Sequence, residues 1–252
     1  MNISKVTLLV GARSEIGREI LRGRLELGDK CLSLGRDPIG DSLHLKSFSD
    51  SSESECSDFH GNLTEICEFM SKCSISVSTL VLSTGYMSDP KYQSESDQVT
   101  TSFLGNVDFP YRVLHSFQES NILDNKSTVV LMSTSLFGLP LQKKHYVYQS
   151  MKELFEKITV KTFIFNDRKN TLLIVRPGHV PTKLNNQIPS TIFSTNAKSI
   201  SKNVMNWMKK NSTVSGVHTI YSPQYLKWLV LLARILPISV FQLLVRNLRK
   251  RI

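Results

Sequence analysis

A chain of 252 residues, 40% hydrophobic and 21% charged, is long enough for one α/β domain with a full core and has an ordinary globular composition. Its formal charge of +10 points to an anionic partner: nucleic acid, a phosphorylated cofactor or a membrane surface. The four cysteines (Cys31, Cys56, Cys67 and Cys73) form no C-x-x-C pair and have no His-rich companion segment, which argues against a zinc site or disulfide framework and fits a reducing, cytoplasmic setting.

Residues 6–10 are an apolar run that predicts a buried strand, too short for the core of a signal peptide. A helix follows, with Ile16, Ile20, Leu21 and Leu25 at helical spacing and Gly28 as its C-terminal cap. Gly11 and Gly17 bracket the turn between the two, where backbone N–H groups can approach a pyrophosphate at the helix's positive end. Residues 30–34 predict a second strand, ending on Gly35 and Arg36 rather than on an acidic residue. With Arg13 in the glycine turn, this favours the 2′-phosphate of NADP over the 2′-hydroxyl of NAD.

The Ser- and acid-rich segment 47–58 reads as an exposed loop, with a third strand of uncertain place ending near Asn62. A helix over 65–72 leads to a strand over 78–82 that opens into Ser83-Thr84-Gly85, where glycine lets backbone pass close to a ligand. Residues 103–117 predict a helix carrying Asn106 in its interior despite the low helix propensity of Asn. Residues 127–132 are apolar enough for a strand buried on both faces, and further elements are expected over 151–165, 172–175 and 198–210. This alternation argues for a doubly wound parallel sheet.

After the strand at 127–132 come Ser135 and then, on the helix that continues over 151–165, Tyr148 and Lys152. Residues four apart share a helix face, so the Lys152 ammonium can sit beside the Tyr148 phenol. A neighbouring positive charge favours the phenolate and is expected to lower its pKa. A hydroxyl at Ser135 could hydrogen-bond a substrate oxygen, completing a proton-transfer site for a carbonyl or alcohol.

With the glycine turn, Asn106, Ser135, Tyr148 and Lys152 in that order, residues 3–220 resemble the short-chain dehydrogenases/reductases. Residues 11–17 match the family's T-G-x-x-x-G-I-G, with Val10 in place of threonine and Glu15 in place of the middle glycine. Ser83-Thr84-Gly85 stands where N-A-G is usual, and Pro177-Gly178, Val180 and Thr182 match P-G-x-x-x-T.

The resemblance implies a Rossmann-like domain over 1–222, with a substrate flap at 183–200, working as an NADPH-dependent ketoreductase or alcohol dehydrogenase and often dimeric or tetrameric. Tyr148 would donate the proton to the carbonyl oxygen, Lys152 would bind the nicotinamide ribose, Ser135 would orient the carbonyl and Asn106 would hold a water linking Lys152 to solvent. NADP(H), preferred over NAD(H), would be held by Gly11, Arg13, Ser14, Ile16, Gly17, Arg36, Asn62, Ser83, Thr84, Gly85, Tyr148, Lys152, Pro177, Gly178, Val180 and Thr182. No metal is expected. A non-catalytic dinucleotide sensor is the alternative, and the full Ser135/Tyr148/Lys152 set counts against it. Nucleic-acid binding rests on charge alone, with no aromatic-basic interleaving to support it.

The tail, residues 223–252, is apolar but interrupted by Arg234 and Pro237 and ends in Arg246, Arg249, Lys250 and Arg251. Spanning a bilayer would bury Arg234 in hydrocarbon, so the pattern suits a helix pair lying in the headgroup region at the inner face of a membrane. A lid or subunit contact is the competing reading. The S-E-I-G loop with this tail is similar to the decaprenylphosphoryl 2-keto-pentose reductases, which implies a keto-sugar on a polyprenyl phosphate. Another long-chain hydrophobic ketone explains the same tail.

Overall fold

The computed structural model describes residues 4–36, 43–47, 59–86, 94–134, 146–165, 169–182, 194–212, 214–237 and 240. The first strand, β1 (Ser4–Val10), is followed by α1 (Glu15–Leu25) and β2 (Lys30–Arg36). Two short strands, β3 (Leu43–Ser47) and β4 (Phe59–Gly61), precede α2 (Leu63–Lys72) and β5 (Ile75–Leu82). A helical stretch then runs through α3 (Glu95–Phe103), a π-helical turn (Leu104–Asp108) and α4 (Phe109–Glu119). The remaining elements are β6 (Leu123–Met132), α5 (Tyr146–Phe165), β7 (Thr171–Pro177), α6 (Ala197–Lys210), β8 (Gly216–Ser222) and α7 (Leu226–Ile235).

The strands form one sheet in the order β4-β3-β2-β1-β5-β6-β7-β8. From β2 to β8 every neighbouring pair is parallel, as expected for crossover connections through helices. The helices cover two apolar layers. One joins Leu8, Val10, Leu80 and Leu131 to Phe117 of α4 and Phe155 of α5; the other joins Leu9, Val81 and Val130 to Ile20 of α1 and Ile200 of α6. Adjacent residues of β1 thus serve opposite layers, and β1, β5, β6 and β7 are buried on both faces.

The single third strand expected before Asn62 is two strands. Each of the pairs β2–β3 and β3–β4 is antiparallel, so the sheet is mixed at this edge. Among the described side chains of β3 only Leu43 and Leu45 are buried, a period-two pattern too short to stand out in a Ser-rich region. Helix α3 begins well before residue 103 and was hidden by its polarity: among its residues only Ser102 is buried. Strand β8, absent from the sequence reading, is an edge strand with only Ser222 buried, so it lacks the apolar run that marks the inner strands.

Candidate active site

The glycine turn has a steric reason. Gly11 has φ of +102°, and a Cβ there would lie 2.8 Å from the Ser83 carbonyl oxygen. A Cβ on Gly17 would lie 2.4 Å from Leu9 Cδ1 and 3.1 Å from Ser83 Cβ. Both glycines therefore let the turn lie against the carboxyl end of β5. Ser14 caps α1, its Oγ accepting from Gly17 N at 3.1 Å, and that same Oγ stands 2.6 Å from Ser83 Oγ. Two of the departures noted above find a place here: Ser83 is stitched to the turn through Ser14, and Glu15 puts a negative charge in the first turn of α1.

The carboxyl end of β2 reaches the same turn. A Cβ on Gly35 would stand 3.2 Å from Ala12 Cβ, next to the exposed Arg13. Arg36 is the last residue of β2; its side chain lies outside the described residues. Asn62 stands apart, because β3 separates β4 from β2. Its Oδ1 accepts from Glu65 N at 3.0 Å and its N–H donates to Glu65 Oε2 at 2.8 Å, a capping box at the start of α2.

Lys152, only 4% exposed, runs inward from α5. Its Nζ donates to Thr84 O at 2.5 Å and to Met132 O at 3.2 Å, bridging the carboxyl ends of β5 and β6. An ammonium has three protons, so one remains for another acceptor after these two bonds. Burial brings the Lys152 ammonium down to about 8 and pushes the half-buried Tyr148 phenol up to about 12. The expectation that Lys152 lowers the Tyr148 pKa is corrected: Nζ lies 5.9 Å from the ring centroid, and loss of water around the phenol outweighs it. Near neutral pH the phenol is a proton donor, which suits protonating a carbonyl oxygen.

Asn106, fully buried, lies in the π-helical turn, which accounts for Asn inside an otherwise helical stretch. Its Oδ1 accepts from Tyr86 N at 3.0 Å, while Nδ2 faces Tyr86 O at 2.7 Å, Ser102 O at 2.9 Å and Ser102 Oγ at 3.0 Å. The amide thus pins the segment after Ser83-Thr84-Gly85, and both its protons are spent. Ser135 lies outside the described residues, as do residues 183–193 of the expected flap.

At the end of β7, Pro177 and Val180 are buried, Gly178 and Thr182 are half-buried, and Gly178 N donates to Ser222 O at 2.8 Å. His179 ties this end to Ser194: their side chains meet at 3.1 Å, and His179 O accepts from Thr195 N at 2.8 Å. A buried polar group missed in the sequence lies behind the site. Ser133 Oγ donates to Glu156 Oε2, and Arg176 donates through Nε to Oε2 at 3.2 Å and through Nη2 to Oε1. Its signal was available: Glu156 continues the Tyr148/Lys152 spacing by another four residues along α5.

No protein-family model and no curated protein sequence matches this chain. Solved structures do match. A short-chain dehydrogenase family protein from Francisella tularensis subsp. tularensis SCHU S4 aligns with TM-score 0.63 at 13% identity, over 87% of this chain and 98% of that one. A carbonyl reductase from Pseudomonas aeruginosa PAO1 aligns with TM-score 0.62 at 17% identity, over 87% of this chain and 97% of that one. A protein of Burkholderia multivorans described as a short-chain dehydrogenase/reductase, with bound NADP, aligns with TM-score 0.63 at 13% identity over 87% and 97%. At such identities the likeness establishes the fold: a single α/β domain of the Rossmann-like kind found in those oxidoreductases.

Proposed function

We propose that this protein is a short-chain dehydrogenase/reductase that reduces a ketone with NADPH. The observation that carries the reading is Lys152, buried between Thr84 O and Met132 O on the helix that presents Tyr148, with the Ser14–Ser83 turn at the neighbouring strand end. The residues fit a dinucleotide. The first turn of α1 offers N–H groups to a pyrophosphate, and glycine is sterically required where the turn meets β5. Arg13, beside the end of β2, supports a 2′-phosphate, as does Arg36 by its place in the chain.

Bound NADPH supplies the hydride. Tyr148 gives its phenolic proton to the carbonyl oxygen, and the third N–H of Lys152 would donate a hydrogen bond to a ribose hydroxyl of the cofactor. Ser135 orients the carbonyl through its hydroxyl. Asn106 holds the Tyr86 segment, and a water there would meet the one lone pair left on its Oδ1. Purified protein is expected to consume NADPH with a hydrophobic ketone and to bind NADPH more tightly than NADH. Tighter NADH binding would remove the arginine argument, and no binding of either would end the reading.

The substrate we place at a membrane surface, as a lipid-linked keto-sugar or another long-chain ketone. Leu226 and Val230 of α7 are buried, while Trp228, Leu231, Leu232 and Ile235 stay exposed at helical spacing, Ile235 by 72%. A helix apolar on its outer face and followed by a basic tail suits an anionic headgroup region. Among the described residues no helix is long and apolar enough to cross a membrane. Exposed Val99, Phe103, Leu104 and Leu154 on α3, the π turn and α5 support self-association through that side.

A further inference from the structure

We infer that Glu156 is a positioning residue for Lys152: its carboxylate locks α5 onto the ends of β6 and β7, and so fixes the depth at which the ammonium meets Met132 O and Thr84 O. Glu156 is 3% exposed and stands one helical turn beyond Lys152. Three donors converge on it: Ser133 Oγ, Arg176 Nε and Arg176 Nη2. Ser133 follows Met132, the last residue of β6, so the end of this strand is tied to α5 at two consecutive residues, through Lys152 on Met132 O and through Ser133 on Glu156. Ser133 N also donates to Val175 O at 2.9 Å, and Arg176 Nη1 donates to Tyr221 Oη at 2.6 Å, carrying the lock across β7 to β8.

Burying an ion pair contributes little net stability over an apolar substitute, so stability alone is a weak reason for this one. Register is a better reason. The apolar contacts of Val147 and Phe155 are non-directional and tolerate sliding of the helix. A bond of 2.5 Å from Lys152 to Thr84 O does not, and the directional fork between Arg176 and Glu156 supplies the restraint. The position of Lys152 stands on geometry alone; its bearing on turnover rests on the reductase reading above.

The test is to follow the Lys152 amine by the 13C shift of its ε-carbon in the full-length protein, with the resonance assigned from Lys152→Arg. In Glu156→Gln and in Ser133→Ala, which leaves the ion pair in place, release of the ammonium toward water is expected to raise its titration midpoint by about half a pH unit or more. Loss of a negative charge alone would lower it, so the direction separates positioning from simple electrostatics. A midpoint that falls or stays at the wild-type value in Ser133→Ala, or in folded Glu156→Gln, overturns the inference. A raised midpoint in a protein that does not bind NADPH would uphold the inference and remove the reductase reading instead.

Discussion

Lys152 places its ammonium 2.5 Å from the carbonyl oxygen of Thr84 while only 4% of the residue meets water. Among the described residues that charge is held by backbone dipoles, the carbonyls of Thr84 and Met132. The cost appears as a pKa brought down to about 8 from 10.5 by burial.

That cost sets the pH dependence of folding. Below pH 8 Lys152 is protonated in both folded and unfolded chains, so the full penalty applies. Between 8 and 10.5 the folded chain gives up the proton while the unfolded chain keeps it, so this group's contribution to stability rises with pH. Lys152→Met is expected to be more stable than wild type at pH 7, by roughly 1–3 kcal/mol after loss of the two hydrogen bonds. The gap should close across that window. Denaturant unfolding at a series of pH values measures it, and a constant gap would show that Lys152 is not desolvated.

Two glycines at positive φ should respond differently to alanine. Gly28, with φ of +85°, has no atom within 4 Å of an added Cβ, so Gly28→Ala is expected to cost about 1 kcal/mol of backbone strain. Gly11→Ala carries the same strain plus a 2.8 Å contact with Ser83 O, where backbone must move, and should cost at least about 3 kcal/mol. Thermal unfolding of the pair decides, and equal losses would contradict the packing of the turn against β5.

The Ser14–Ser83 contact should be felt by the cofactor. Ser83→Ala removes one hydroxyl from the turn and is expected to weaken NADPH binding roughly fivefold, equivalent to about 1 kcal/mol. Ser14→Ala also removes the cap of α1 and should lower stability by about 1 kcal/mol. Fluorescence titration with NADPH reads the first effect; unchanged affinity in Ser83→Ala would leave the contact purely structural.

Association of α7 with lipid is expected to shift the fluorescence of Trp228, which is 68% exposed, to the blue with anionic vesicles and not with neutral ones. Trp228→Ala should co-sediment several-fold less with the same vesicles, since it removes the largest apolar contact on the outer face. Equal sedimentation of the two proteins would exclude insertion of this face.

The inner strands were legible because β1, β5, β6 and β7 are buried on both faces and read as unbroken apolar runs. Edge elements were not. Strand β8 is half-polar, β3 has two buried residues among those described, in a Ser-rich region, and α3 contributes only Ser102 to the interior. Tyr148 and Lys152 were recognisable from spacing, yet the direction of the Tyr148 shift was not. Spacing shows that a charge is near, whereas burial depends on strands far away in sequence. The spacing of Glu156 after Lys152 marked its helix face, but its pairing with Arg176 was hidden for the same reason, the two being 20 residues apart and joined only by the docking of α5 on β7.

In the proposed reaction Tyr148 hands the proton to a substrate carbonyl while Lys152 and the glycine turn hold the cofactor. Replacing Tyr148 by Phe removes that proton and leaves the ring. The direct measurement is NADPH binding by fluorescence beside NADPH-dependent ketone turnover, in wild type and Tyr148→Phe. The variant is expected to bind NADPH within about threefold of wild type and to lose turnover by at least about a thousandfold. Turnover by Tyr148→Phe at the wild-type rate would contradict it.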